Sequence, residues 1–165
     1  MAVKNAGGSS LDKRQASLIV LGCAEGPQPR IGIIFRGPTY PSTPQGIKTR
    51  MLELESLEYN CIEQNGVLTK VRNNVAVYFQ PAAWMDTLVM REFLHGQLAP
   101  FLLQQKIERS LLLMDNLEAH IAAPTKDTLQ LMNTEAAFSP PNLTHSTQAV
   151  DDGIGRQYQT RMGSK

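Results

Sequence analysis

Two acidic residues, one at the end of an apolar run and one in a later motif, are the candidates for chemistry in this chain. Asp115 follows the apolar run 111–114, and Asp151 follows Gln148-Ala149-Val150. A continuous apolar run of the length that precedes Asp115 is typical of a strand buried on both faces. An acid at the carboxyl end of such a strand lies at the rim of the sheet, where open α/β sheets bind ligands. We therefore expect Asp115 at a sheet rim, with Asp151 brought to the same rim.

Ordinary structural roles are open for the same residues. Asp favours turns and helix starts, so Asp115 could cap the turn after its strand, and Asp151 could be the N-cap of a last helix. Asp152 is typical of a solvated acid in a first helical turn, where the helix dipole favours negative charge. His120 could contact a phosphate or a metal-bound water, or it could be an ordinary loop residue.

Several stretches in the second half of the chain carry a resemblance to a known family. They are the strand ending in Asp115-Asn116, the nearby His120, Pro140-Pro141-Asn142, and Gln-Ala-Val-Asp-Asp-Gly at 148–153. In this order and at this spacing they resemble the DDE superfamily of transposases, in particular the pogo/Tigger-like branch to which centromere protein B is related. Ala149 stands where the family usually has proline. The stretches 30–37 and 78–86 extend the resemblance over most of the chain.

The resemblance implies a metal-dependent activity on DNA, namely strand cleavage and transfer with Mg²⁺ or Mn²⁺. In such chemistry one ion activates the attacking oxygen and a second stabilises the leaving oxygen. Since Mg²⁺ prefers oxygen ligands, Asp115 and Asp151 would be catalytic, metal-binding residues, two of the three acids of such a site. DNA is the implied partner and the nucleus the implied location of the parent protein. Whether the full-length parent forms a homo-oligomer is left open.

The same resemblance implies an RNase H-like α/β fold, a mixed sheet flanked by helices. In that fold a central first strand carries the first catalytic Asp and precedes the strand that residues 16–23 resemble. No apolar strand ending in Asp precedes Ala16, and Asp12 is the only acid in that region. We therefore expect a loop or disordered tail over 1–15, and over 16–165 a partial catalytic domain, truncated at its amino end and without its first strand. Such a chain would be catalytically incomplete.

Length, composition and charge limit the classes of protein to which the chain can belong. The 165 residues, 42% of them hydrophobic and 19% charged, are enough for one domain with its own core. The net charge of +1 provides no broad cationic surface, so contacts with DNA would have to come from local patches. Cys23 and Cys61 lack the spacing of a zinc site or a disulfide framework. No apolar run is long enough to span a membrane.

The hydrophobic pattern predicts the element order β-β-β-α-β-α-β-α. The predicted strands are 16–23, 31–35, 75–79, 111–114 and 136–138, the first two forming an antiparallel hairpin. The predicted helices are 82–98, 125–132 and 151–162, with a further helix over 48–59. Pro100 is expected to end or kink the helix before it. Trp84 is expected in the core rather than as a platform for stacking bases.

Two functional hypotheses from different classes follow. The first is a fragment of a DDE-type transposase. The second is a transposon-derived nucleic-acid-binding or interaction domain without catalysis, or a remnant without a selected role, which the missing first Asp favours. A different RNase H-like nuclease would share the fold but would not account for Pro140-Pro141-Asn142 and the motif at 148–153.

Overall fold

The computed structural model of the chain describes residues 16–64 and 67–139. It divides into two compact units, Met1–Met85 and Asp86–Lys165. The predicted α/β class is confirmed, since a mixed sheet and helices alternate along the described residues. The predicted tail over 1–15 and the predicted helix over 151–162 lie outside those residues, and the prediction of one partial domain over 16–165 stays a prediction.

The first unit contains five strands and one helix in its described residues. In chain order they are β1 (Ala16–Ile19), β2 (Ile31–Arg36), α1 (Pro44–Glu58), β3 (Tyr59–Gln64), β4 (Val67–Arg72) and β5 (Val75–Gln80). The second unit contains α2 (Thr87–Phe93), a π-helical turn (Leu94–Leu98), α3 (Ala99–Gln104), β6 (Ser110–Met114), α4 (Glu118–Ile121), α5 (Ala123–Leu131) and β7 (Thr134–Phe138).

The sheet of the first unit has the order β1-β2-β5. β1 pairs antiparallel with β2, which confirms the predicted hairpin, and β2 pairs parallel with β5. β1 ends at Ile19, earlier than the predicted residue 23. The pairing is close at Gly32, where an added Cβ would lie 2.8 Å from Ile19 Cδ1. Ile34 and Phe79 are among the most buried residues of this unit.

Helix α1 begins at Pro44, earlier than the predicted residue 48. Thr43 caps it, because its hydroxyl accepts a hydrogen bond of 3.1 Å from the Gly46 N–H, and proline suits a first helical turn. Strands β3 and β4 form an antiparallel hairpin that the pattern did not predict. Lys70 Nζ lies 2.5 Å from Glu55 Oε1 and joins this hairpin to α1.

In the second unit the predicted helix over 82–98 begins only at Thr87. Asp86 is the N-cap, since its carboxylate accepts a hydrogen bond of 2.8 Å from the Val89 N–H. The cause of the later start is this cap, together with Ala83 at a φ of 54°. Trp84 therefore lies outside the helix and is 59% exposed, so the prediction of a core Trp84 is wrong.

The helix does not end at Pro100; instead, it forms a π-helical turn just before this residue. A proline has no N–H, and its ring crowds the carbonyl four residues earlier. The π-helical turn before it has the wider spacing, with the Ala99 N–H donating to the Leu94 carbonyl, and the chain continues into α3. Leu94 and Leu98 in this turn are buried.

No helix in the described residues is long and apolar enough to cross a bilayer.

Strands β6 and β7 pair in parallel and form a sheet of their own among the described residues. The predicted strand over 111–114 is confirmed, but its burial on both faces is not. Leu111 is 60% exposed and Leu113 74% exposed, whereas Met114 is buried. The alternating pattern shows that the described part of the unit covers only one face of β6.

Candidate metal centre

Asp115 directly follows β6 at the edge where β7 also ends. The pairing places Met114 beside Phe138, and the Ser139 N–H donates a hydrogen bond of 2.9 Å to the Met114 carbonyl. Because parallel strands end at the same edge of their sheet, this edge is a rim that carries Asp115. The sequence placed Asp115 at such a rim. Its catalytic and metal-binding role stays a prediction.

The Asp115 carboxylate is held through one of its two oxygens. Oδ1 accepts a hydrogen bond of 3.2 Å from the Leu117 N–H and lies 2.6 Å from His120 Nδ1. Among the described residues no hydrogen bond reaches Oδ2. The Asp115 side chain is 38% exposed. The contact with the Leu117 N–H shows that Asp115 does cap the turn after its strand, and this contact uses only Oδ1.

His120 reaches Asp115 from a short, well-supported helix. Its N–H donates 2.9 Å to the Leu117 carbonyl. Ala119 beside it is buried, and the fully buried Thr125 donates a hydrogen bond of 2.6 Å from its hydroxyl to the Ala119 carbonyl. The imidazole is 18% exposed. The start of α5 thus fixes the turn that carries His120, which is a partner of Asp115 and not an isolated loop residue.

Asn116 joins the rim to the chain that leaves β7. Its Nδ2 donates a hydrogen bond of 2.5 Å to the Ser139 carbonyl. Ser139 therefore lies at this rim, and in the sequence it is followed by Pro140-Pro141-Asn142 and, later, Asp151. Those residues lie outside the described part of the chain, so the shared rim of Asp115 and Asp151 stays a prediction. The Asp-Asn pair in the sequence was the signal for this contact, although it did not reveal the partner.

The carboxylate at the rim supplies oxygen, the type of donor atom that a hard cation binds. An open carboxylate oxygen is the ligand type that Mg²⁺ and Mn²⁺ accept, and the carboxylate is itself hydrogen-bonded, as metal ligands usually are. Within residues 16–64 and 67–139 no group of three His, Cys, Asp or Glu side chains comes close enough to hold an ion. If Asp115 is a metal ligand, as predicted, the other donors are not among the described residues near it.

A cleft of about 700 Å³ lies beside β7 in the same unit. Arg109 and Lys126 contribute cations to it. Arg109 lies 3.4 Å from Glu135, which compensates part of the charge, and Lys126 lies 5.5 Å from the centre of the Phe138 ring. The cleft therefore offers a small polar patch with little excess positive charge. The sequence pattern did not indicate it, because its residues come from separate elements.

A strand-end carboxylate at the rim of a parallel strand pair is an arrangement typical of α/β proteins that bind ligands at a sheet edge. The family model of the DDE superfamily endonuclease matches residues 32–164, and the chain belongs to that family. Its mixed sheet and helices are consistent with the RNase H-like fold of DDE enzymes. No curated protein and no solved structure shows a significant match.

Membership of this family supports a transposase-like nuclease function. The substrate that the family implies is DNA, and its enzymes generally use divalent metal ions.

Proposed function

We propose that the chain is part of the catalytic domain of a pogo/Tigger-like DDE transposase, related to centromere protein B. Asp115 and Asp151 are two of its catalytic, metal-binding acids. The observation that carries the proposal is the Asp115 carboxylate at the rim, with Oδ1 fixed by two contacts and Oδ2 without a hydrogen bond from the described residues. This is also the place where the sequence motif puts an acid.

The residues present would hold Mg²⁺ or Mn²⁺ through carboxylate oxygens. When bound, such ions activate the attacking oxygen and stabilise the leaving oxygen of a phosphodiester. Asp115 contributes Oδ2 from the end of a strand whose backbone is paired, so its position does not depend on a flexible loop. The placement of acids on a rigid strand end favours the accurate geometry that phosphoryl transfer needs.

Asp151 is the second acid of the proposal because the chain leaves β7 beside Asp115. Asn116 holds the Ser139 carbonyl at this exit, so the following segment begins at the rim. The residues 148–153 match the family motif whose acid precedes x-Gly, which selects Asp151 over Asp152.

We also propose that this 165-residue chain is catalytically incomplete by itself. No apolar strand ending in Asp precedes Ala16 in the given sequence, so the first acid of the motif is not among its residues. The parent would act on DNA in the nucleus. The alternative is a transposon-derived nucleic-acid-binding or interaction domain without catalysis.

Mn²⁺ titration of the 165-residue chain by calorimetry tests the metal site. We expect weak binding, on the order of millimolar, because two carboxylates offer less charge and fewer ligands than three. Asp115→Asn and Asp151→Asn should each weaken it strongly. Asp127→Asn is the matched control, since Asp127 is an exposed acid on α5 of the same unit.

Equal binding by the natural chain and by Asp115→Asn would place any metal elsewhere and would remove Asp115 from the site. No measurable Mn²⁺ binding, combined with specific binding of transposon-end DNA, would favour the non-catalytic alternative.

A further inference from the structure

The Asp115 carboxylate has unequal oxygens. Oδ1 receives both of the contacts that the described residues make, one from the Leu117 N–H at 3.2 Å and one from His120 Nδ1 at 2.6 Å. A carboxylate oxygen has two lone pairs, so Oδ1 has no acceptor capacity left for a metal ion. None of the described residues donates a hydrogen bond to Oδ2, so neither of its lone pairs is used by them.

The direction of the His120 contact follows from the chemistry of its partner. An ionised carboxylate can only accept hydrogen bonds, so His120 Nδ1 must carry the proton and donate it. The separation of 2.6 Å is short, as expected for a hydrogen bond to a charged acceptor. A neutral imidazole in this tautomer has its lone pair on Nε2, away from Asp115.

We propose that His120 is a positioning residue for Asp115, one that restricts metal coordination to the single oxygen Oδ2. This inference rests on the proposed function, in which Asp115 is a metal ligand. A carboxylate group rotates easily about its terminal bond, because that torsion has a broad energy minimum. With Oδ1 held by His120 and Leu117, the rotation stops and Oδ2 stays directed away from both donors.

Hydrogen bonds in the turn that carries His120 hold this residue in place, as a positioning residue requires. Its turn is fixed by the Leu117 carbonyl and by the buried Thr125 hydroxyl on the Ala119 carbonyl. The imidazole is 18% exposed against 38% for the Asp115 side chain, so the donor is shielded more than the acid that it holds. Partners of this kind behind a metal ligand contribute about tenfold to a hundredfold in metal affinity.

The test compares two His120 variants of the 165-residue chain. His120→Leu removes the donor, and we expect its Kd for Mn²⁺ to rise by about tenfold or more. His120→Asn keeps an N–H donor near the position of Nδ1 but has nothing at Nε2, and we expect it to recover most of the affinity. His95→Leu is the control, because His95 is exposed on the π-helical turn. Circular dichroism confirms that each variant is folded.

A second measurement needs no metal. Long-range ¹H–¹⁵N spectra identify which ring nitrogen of His120 carries the proton, with the signal assigned by its loss in His120→Leu. We expect the proton on Nδ1 in the natural chain and a changed signal in Asp115→Asn. A neutral ring protonated only on Nε2 would overturn the inference, whatever the chain does with Mn²⁺.

The two proposals fail in different ways. If Asp115→Asn leaves Mn²⁺ binding unchanged, the proposed metal site is wrong. If Asp115→Asn abolishes binding but His120→Leu binds normally, only the role of His120 is wrong. If His120→Asn binds as poorly as His120→Leu, Nε2 is needed, and His120 would be a direct ligand and not a positioning residue.

Discussion

Asn116 Nδ2 donates a hydrogen bond of 2.5 Å to the Ser139 carbonyl, which joins the end of β6 to the residue that follows β7. We expect Asn116→Ala to loosen this exit while leaving the strand pairing intact, because the Ser139 N–H still bonds to the Met114 carbonyl. Amide hydrogen exchange at Ser139 should become faster, and exchange at Leu112 should not change. Unaltered exchange at both residues would show that the Asn116 bond does not hold the exit.

An assay of DNA strand cleavage tests most directly whether the catalytic site of the chain is complete. The 165-residue chain should not nick or join transposon-end DNA, even with Mn²⁺, because in-line displacement depends on both ions being held and the chain lacks one motif acid. The assay is strand nicking by purified protein, with the double variant Asp115→Ala, Asp151→Ala as control. Metal-dependent nicking that disappears in the control would mean that another residue supplies the third ligand.

Thr125 is expected to contribute both to stability and to the geometry of the site. It is fully buried, and its hydroxyl donates to the Ala119 carbonyl. Thr125→Val has nearly the same shape but no donor, and we expect a loss of about 1–3 kcal/mol in the free energy of unfolding. Urea denaturation measures it. Thr125→Ser retains the hydroxyl and should retain the hydrogen bond. A Val variant as stable as the natural chain would contradict this role.

Glu58 is expected to be the acid on which the first unit depends most. Its Oε1 accepts 2.8 Å from the Val77 N–H, and its Oε2 lies 3.6 Å from Arg30 and 3.4 Å from Arg72. Burial lowers the pKa of Arg30, the neighbouring Arg72 lowers it further, and Glu58 opposes both effects. Glu58→Gln leaves two neighbouring guanidinium groups without their acid, so we expect a loss of about 2 kcal/mol.

The matched control for Glu58 is Glu63→Gln, which removes the same charge from an exposed position on β3. Its effect on urea denaturation should stay within about 0.5 kcal/mol, as is usual for surface substitutions. Equal effects of the two substitutions would show that the contacts of Glu58 contribute no more than an ordinary surface charge.

The sequence determined those elements whose signal is local. β2, β5, β6 and α5 were predicted within a few residues of their observed bounds, since apolar runs and hydrophobic periodicity are properties of neighbouring residues. The order of motif residues around Asp115 also indicated the family that the match over residues 32–164 shows. The chemistry of a strand-end acid could therefore be proposed before any coordinate was known.

Only the tertiary structure decided which segments meet. The parallel pairing of β2 with β5, the β3–β4 hairpin and the one-sided burial of β6 depend on contacts between residues far apart in sequence, and periodicity does not record them. Which oxygen of Asp115 accepts the hydrogen bonds of its described neighbours was likewise undecidable from the sequence. It depends on His120 and Leu117 converging on Oδ1, which the turn after β6 and the buried Thr125 bring about.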